Sequence, residues 1–207
     1  MSKRKITILG MGSTAIERRI DIKKYCDGTE IWGLNNGYLT FPHLKGEWDR
    51  VFELHNYEYL KDWQSGTKCH FTCLDELGCD VWTMERLPLI KRQVPYKIEE
   101  YCGYFKNNYF LGSPSLMLML ALYEHDNGEE IDEIRSWGID TTDKAHGQQR
   151  QSWSWWLSKA HERKIKITGT ACNFFSEHEN DEGLRGLREH VGRALIKREK
   201  EELNGDN

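Results

Sequence analysis

Residues 3–15 read Lys-Arg-Lys-Ile-Thr-Ile-Leu-Gly-Met-Gly-Ser-Thr-Ala, and no other stretch restricts the fold as much. Ile6, Ile8 and Leu9 form a short β-branched and apolar run that stops at Gly10, the pattern of a buried strand entering a tight turn. A helix is expected at once. Thr14 with Glu17 fits a capping box, and Ile16, Ile20 and Tyr25 continue at roughly helical spacing. A strand, a Gly-x-Gly turn and a capped helix bring backbone N–H groups and the positive end of a helix dipole to one point, which favours an anion such as phosphate. Two readings of Gly10-Met11-Gly12 stay open, a nucleotide-binding turn and a plain strand-to-helix turn.

The chain has 207 residues, enough for one domain with a sizeable core, or one domain with an appendage. No apolar run has the length of a membrane span, and the hydrophobic part of the N-terminus stops at Leu9, short of a signal peptide. A cytoplasmic protein with no membrane partner is expected. A formal charge of -4 excludes the global basic field of a general nucleic-acid binder. The six cysteines suit a reducing compartment, so disulfides are not expected. Cys69-His70, Cys73 and Cys79 form the one local cluster with zinc-ligand chemistry, but the paired Cys-x2-Cys knuckles of a zinc site are missing. The expectation is thiols in an insertion and no bound metal.

In chain order, the second strand is expected at Glu30 to Leu34, ending in Asn35-Asn36. A dinucleotide-binding fold usually places an acid there to hold ribose hydroxyls. Gly10-x-Gly12-x-x-Ala15 keeps an NAD(P)-dependent oxidoreductase as a competitor, and Asn35 in place of the acid weakens it. A third strand at Arg50 to Leu54 ends at His55, on the edge where ligands bind in open α/β sheets, and a helix from Tyr57 to Trp63 follows. His55 reads as a functional residue or as a hydrogen-bonded structural one. Residues 65–80 show no periodicity and read as an irregular excursion. Val81 to Met84 is the next strand, and Pro88 and Pro95 bracket a loop carrying Lys91 and Arg92, a phosphate lid or a solvated loop.

The run from Leu116 to Leu122 is apolar on every side, which implies a helix buried all round, opened by Ser113 or Ser115. Those serines either cap the helix or face a ligand. A strand from Ile134 to Trp137 runs into Gly138-Ile139-Asp140, whose carboxylate suits a ribose, a metal or a reacting hydroxyl, or simply caps a turn. Trp153, Trp156, Leu157 and Ala160 form a helical core stripe, and Lys164 to Thr168 is the last strand. After Ser176 the chain becomes a charged amphipathic helix, suited to packing back or to self-association. The domains expected are therefore 1–176, a nucleotide-binding domain, and 177–207, a helical extension through which a homo-oligomer would form.

The ordered set Gly10-Met11-Gly12-Ser13, Trp32-Gly33-Leu34-Asn35, Phe52-Glu53-Leu54-His55, Gly112-Ser113-x-Ser115 and Trp137-Gly138-Ile139-Asp140 resembles the Rossmann-like superfamily of 6-hydroxymethylpterin diphosphokinase-like (MptE-like) proteins, which includes small phage proteins. It is similar, more distantly, to bacterial sialyltransferases that use a CMP-linked sugar. The resemblance implies a mostly parallel α/β sheet flanked by helices that binds a nucleotide at its carboxyl edge. Gly10, Gly12 and Ser13 would face phosphate, Asn35 and Ser113 the nucleoside or transferred group, and Asp140 the ribose or reaction centre, with Ser115 a further nucleotide-binding candidate.

The function expected is a nucleotide-dependent transferase that moves a glycosyl or diphosphate group from a nucleotide or nucleotide-sugar donor, with or without Mg2+, onto a small-molecule or nucleic-acid hydroxyl. Such chemistry needs a base, and a histidine, with an ordinary pKa of about 6.5, suits neutral pH. His146, in a polar loop after Asp140, is the first candidate, although its loop position favours a plain solvent-exposed histidine. His55 is expected to orient substrate. The alternative from another class is a non-catalytic module that binds or sequesters a nucleotide, as in phage–host conflict, with the host cytoplasm as its location.

Overall fold

A computed structural model of the chain describes residues 3–12, 22–139 and 149–169. Its strands in chain order are β1 (Arg4–Leu9), β2 (Glu30–Leu34), β3 (Arg50–Glu53), β4 (Gln64–Ser65), β5 (Lys68–Cys69), β6 (Asp80–Thr83), β7 (Gln93–Pro95), β8 (Ile131–Trp137) and β9 (Lys166–Gly169). Strands β4 and β5 form a separate small hairpin, and the other seven make one sheet in the order β7-β6-β3-β2-β1-β8-β9. Every neighbouring pair in that sheet is parallel. The fold class is α/β and Rossmann-like, as the resemblance implied.

Helices make the crossovers that parallel pairing demands. They are α1 (Ile22–Cys26), α2 (Gly37–Thr40), α3 (Tyr57–Leu60), α4 (His70–Asp75), α5 (Ile98–Phe105), α6 (Ser113–Asp126) and α7 (Gln149–Glu162), with a 3-10 turn at Pro42–Leu44. From β1 the chain moves outward through β2, β3, β6 and β7, then returns to lay β8 on the other side of β1. The carboxyl ends of β1 and β8 thus form the switch point beside which open sheets bind ligands.

Alternation along the strands divides the core between the two faces. On one face Leu9, Ile31, Val51 and Val81 meet Ile22, Phe41, Leu44, Trp48, Leu60, Phe71 and Leu74. Gly33 allows this packing, since a Cβ there would stand 2.5 Å from the Trp48 ring. The opposite set includes Ile6, Ile8, Trp32, Phe52 and Ile134, all fully buried. Residues 115–122 of α6 are buried without exception, and α6 packs against α7, whose Trp153, Trp156, Leu157 and Ala160 are buried as expected. At the amino edge Arg4 holds Glu30 and Glu124, while Arg50 donates to Glu124 and lies over the Trp32 ring at 4.7 Å.

Several elements depart from the sequence reading. Residues 65–80 are not an irregular excursion, because they contain the β4–β5 hairpin and α4. Lys91 and Arg92 lie in the expected loop, but its last residues, Gln93–Pro95, are strand β7. Pro95 sits on the sheet's outermost strand, where the missing N–H is tolerated. Lys91 is held by Asp75, and Arg92 by Asp80 and the Gly78 carbonyl, so both cations are tied to the domain. Strand β8 begins at Ile131, earlier than its apolar run suggests, because Asp132 and Glu133 interrupt that run. The helix expected up to Trp63 ends at Leu60, and α5 had no sequence counterpart. The capping box at Thr14 and Glu17 and the helix after Ser176 lie outside the described residues.

Candidate functional site

Strand β3 carries Glu53 at its end, where alternation turns the carboxylate into the protein, and both the residue and its side chain are fully buried. His55 Nδ1 lies 2.7 Å from Glu53 Oε1, which also accepts the His55 backbone N–H at 3.2 Å. His70 Nε2 lies 2.7 Å from Glu53 Oε2, and the Tyr38 hydroxyl lies 2.8 Å from His70 Nδ1. The result is a continuous chain, Tyr38–His70–Glu53–His55, running from α2 to the end of β3.

Local structure positions each member. Leaving β3, the chain turns at His55 and enters α3 under a cap in which Asn56 Oδ1 accepts the Tyr59 N–H at 2.9 Å. That cap brings the Tyr59 ring to 4.7 Å from His55, and Trp63 stands 6.0 Å away. His70 opens α4 and stacks on Tyr38 at 5.8 Å, with Trp63 against it at 5.5 Å.

Burial alone pushes the Glu53 carboxyl up, but the hydrogen bonds and attraction of His55 and His70 outweigh it and hold the group below the usual carboxylate range. Glu53 is therefore ionised and accepts from both rings, which assigns Nδ1–H to His55 and Nε2–H to His70. Burial, with Cys73, Glu53 and Cys69 nearby, pushes the Tyr38 hydroxyl well above its ordinary value. Tyr38 then stays protonated and donates to His70. With His70 Nδ1 facing the Tyr38 hydroxyl, His55 Nε2 is the imidazole nitrogen of the two with no hydrogen-bond partner among the described residues, on a side chain 34% exposed.

The strand ends on either side of β3 carry two buried, unpartnered polar atoms among the described residues. Asn35, at the end of β2, has a left-handed backbone with φ 51° and donates its N–H to Phe52 O at 2.8 Å. Its Oδ1 is buried with no hydrogen-bond partner among the described residues. Thr83, the register partner of Glu53 on β6, is fully buried, and its Oγ1 is likewise unpartnered among the described residues.

The other expected site residues that are described belong to the β1–β8 turn and the start of α6. The Gly10 N–H donates to Trp137 O and the Gly12 N–H to Gly138 O, both at 2.7 Å. These two donors close the seam between β1 and β8, which differs from the open N–H groups expected of the turn. Ser115 Oγ lies 2.8 Å from Ser152 Oγ, joining α6 to α7, and Ser113 is half-buried at the start of α6. Ser13, Asp140 and His146 lie outside the described residues.

Sequence reasoning missed Glu53, His70 and Tyr38. A carboxylate inside the apolar run before His55 was the available signal for Glu53, whereas His70 lay in a stretch without periodicity. Cys69 Sγ is 3.1 Å from Thr72 Oγ1, a bond that lowers the thiol's pKa, and Cys79 is buried. Among the described residues no group of three His, Cys, Asp or Glu is placed to hold a metal ion. No described helix is long and apolar enough to cross a membrane. No protein-family model matches the sequence, and no curated protein matches it.

Proposed function

We propose that the protein is a nucleotide-dependent transferase in which His55 is the general base. The observation that carries this reading is the fully buried Glu53 with an imidazole on each oxygen, one of them the partly exposed His55 at the carboxyl edge of a parallel sheet. A carboxylate bound to Nδ1–H fixes the tautomer and orientation of an imidazole and stabilises the imidazolium formed when Nε2 takes a proton. Here the proton of an acceptor hydroxyl passes to His55 Nε2 as its oxygen bonds to the anomeric carbon or phosphorus of the donor. The bond to the departing nucleotide phosphate breaks and the electron pair leaves with it. The order of strand-end segments quoted above supports a nucleotide as donor.

A thermal-shift panel of nucleotides, nucleotide sugars and NAD, with and without Mg2+, finds the donor, because a bound ligand raises apparent stability by mass action. With that donor, His55→Ala lowers turnover about a hundredfold or more at nearly unchanged donor affinity. Equal single-turnover rates for the variant and the parent remove His55 from the chemistry. Binding without turnover for any acceptor makes the protein a nucleotide-binding module instead.

A further inference from the structure

We infer that the cavity of about 310 Å³ bounded by Asn36, Tyr38, Leu39, Trp63, Gln64 and His70 binds an uncharged planar heterocycle of nucleobase size. Its rings form a corner, with Tyr38 stacked on His70 at an interplanar angle of 26° and Trp63 set against His70 at 61°. Tyr38 and Trp63 are half-buried and offer ring surface to the cavity while buried His70 backs them, and such surface takes a π-system by stacking. The amides of Asn36 and Gln64 each present one acceptor and one two-proton donor, the complement of the alternating edge of a heterocycle. No Lys, Arg, Asp or Glu is among the described residues of the lining, so a phosphate has no counter-charge there. Across Tyr38 and Leu39 a smaller cavity of about 190 Å³ does carry charge, from Lys45 and Glu76, which sets the two apart.

Size and place agree with the chemistry. The volume is at the low end of ligand pockets, about 300 to 1,000 Å³, which suits one ring system rather than a whole nucleotide sugar. A pyranose, with hydroxyls on every side, needs a denser polar lining than two amides. Leu39 is 49% exposed at the rim, an apolar side chain available to close over a flat ligand. Asn36 and Tyr38 follow β2, and Gln64 follows α3 beyond β3, so the cavity opens on the sheet's carboxyl edge. Trp63 touches both His70 and His55, which puts a bound base one side chain from the proposed proton acceptor.

This inference rests on the nucleotide-dependent reading of the same edge and names the part of the donor held here. Calorimetric titration of the full chain with phosphate-free adenosine, guanosine, cytidine and uridine tests it, with methyl glucoside as the neutral sugar control. At least one nucleoside binds saturably, Trp63→Leu weakens it at least tenfold, and the exposed Gln64→Ala changes the preference among the four without loss of fold. Failure of all four nucleosides to bind the wild type at millimolar concentration overturns the site, as does methyl glucoside binding in their place. Unchanged nucleoside affinity in Gln64→Ala and in a folded Trp63→Leu also overturns it. Turnover without nucleoside binding discards the cavity and keeps the transferase, whereas nucleoside binding without turnover keeps the cavity and discards the transferase.

Discussion

His70 Nε2 stands 2.7 Å from Glu53 Oε2, on the side of the carboxylate opposite His55, so a fully buried charge is shared between two imidazoles. Glu53→Gln keeps the shape but turns an NH2 group towards one of two ring N–H donors. One imidazole then has to change tautomer. Turnover is expected to fall about a hundredfold or more through kcat, with donor affinity retained, and stability by about 1–3 kcal/mol. Steady-state kinetics and urea unfolding read the two effects separately, and an unaltered kcat would show the carboxylate to be purely structural.

Acid should unfold the protein partly through the same group. Glu53, Glu30, Asp126 and Glu133 are all held below their ordinary values. A depressed carboxylate contributes stability that is complete above its unfolded pKa, about 4, and is lost as pH falls through the lower folded value. Urea midpoints measured from pH 6 downwards are expected to drop in that acid limb, less steeply in Glu53→Gln. Parallel curves for the variant and the parent would contradict this.

Thr83 gives the opposite expectation. Its buried hydroxyl has no partner among the described residues, so Thr83→Val replaces an unsatisfied polar atom by a methyl group of similar shape. The variant should be as stable as the parent or up to about 1 kcal/mol more stable. A clear loss of stability, read by chemical denaturation, would mean that the hydroxyl is satisfied in solution.

At Gly10 an added Cβ would stand 2.3 Å from Gly138 O, in the seam where β1 meets the end of β8. The two nearest atoms belong to the Gly138 backbone, which cannot give way as a flexible side chain would. Gly10→Ala is expected to cost about 1–3 kcal/mol, the scale of overpacking, and to weaken nucleotide binding with it. A thermal melt indistinguishable from the parent's would show that the seam opens freely.

The sheet was legible wherever burial wrote a continuous apolar run. Ile6 to Leu9, Ile31 to Leu34 and Val51 to Phe52 are flanked on both faces and read as strands without help from their neighbours. Strand β7 was not legible, because an outermost strand with Gln93, Val94 and Pro95 needs no apolar run. At the site, His55 was readable from its place after a strand. Its partner His70 was not, since the contact depends on a hairpin and a short helix folding back across β3. Glu53 was visible as an oddity in the run, but only a second imidazole explains how it remains charged there.

β1 is the first strand of the described chain and lies inside the sheet, with Leu9 paired to Gly33 on one side and to Trp137 on the other. During synthesis β1 can join β2 early, yet its second edge stays bare until the ribosome has released β8. Contacts so distant in sequence delay completion of the sheet, and an open edge invites pairing with another nascent chain. Like charges from Lys3, Arg4 and Lys5 at the start of β1 disfavour its pairing with a second copy of the same strand. In the folded chain Glu30 and Glu124 take up Arg4, so one of those charges becomes a clasp between β1, β2 and α6.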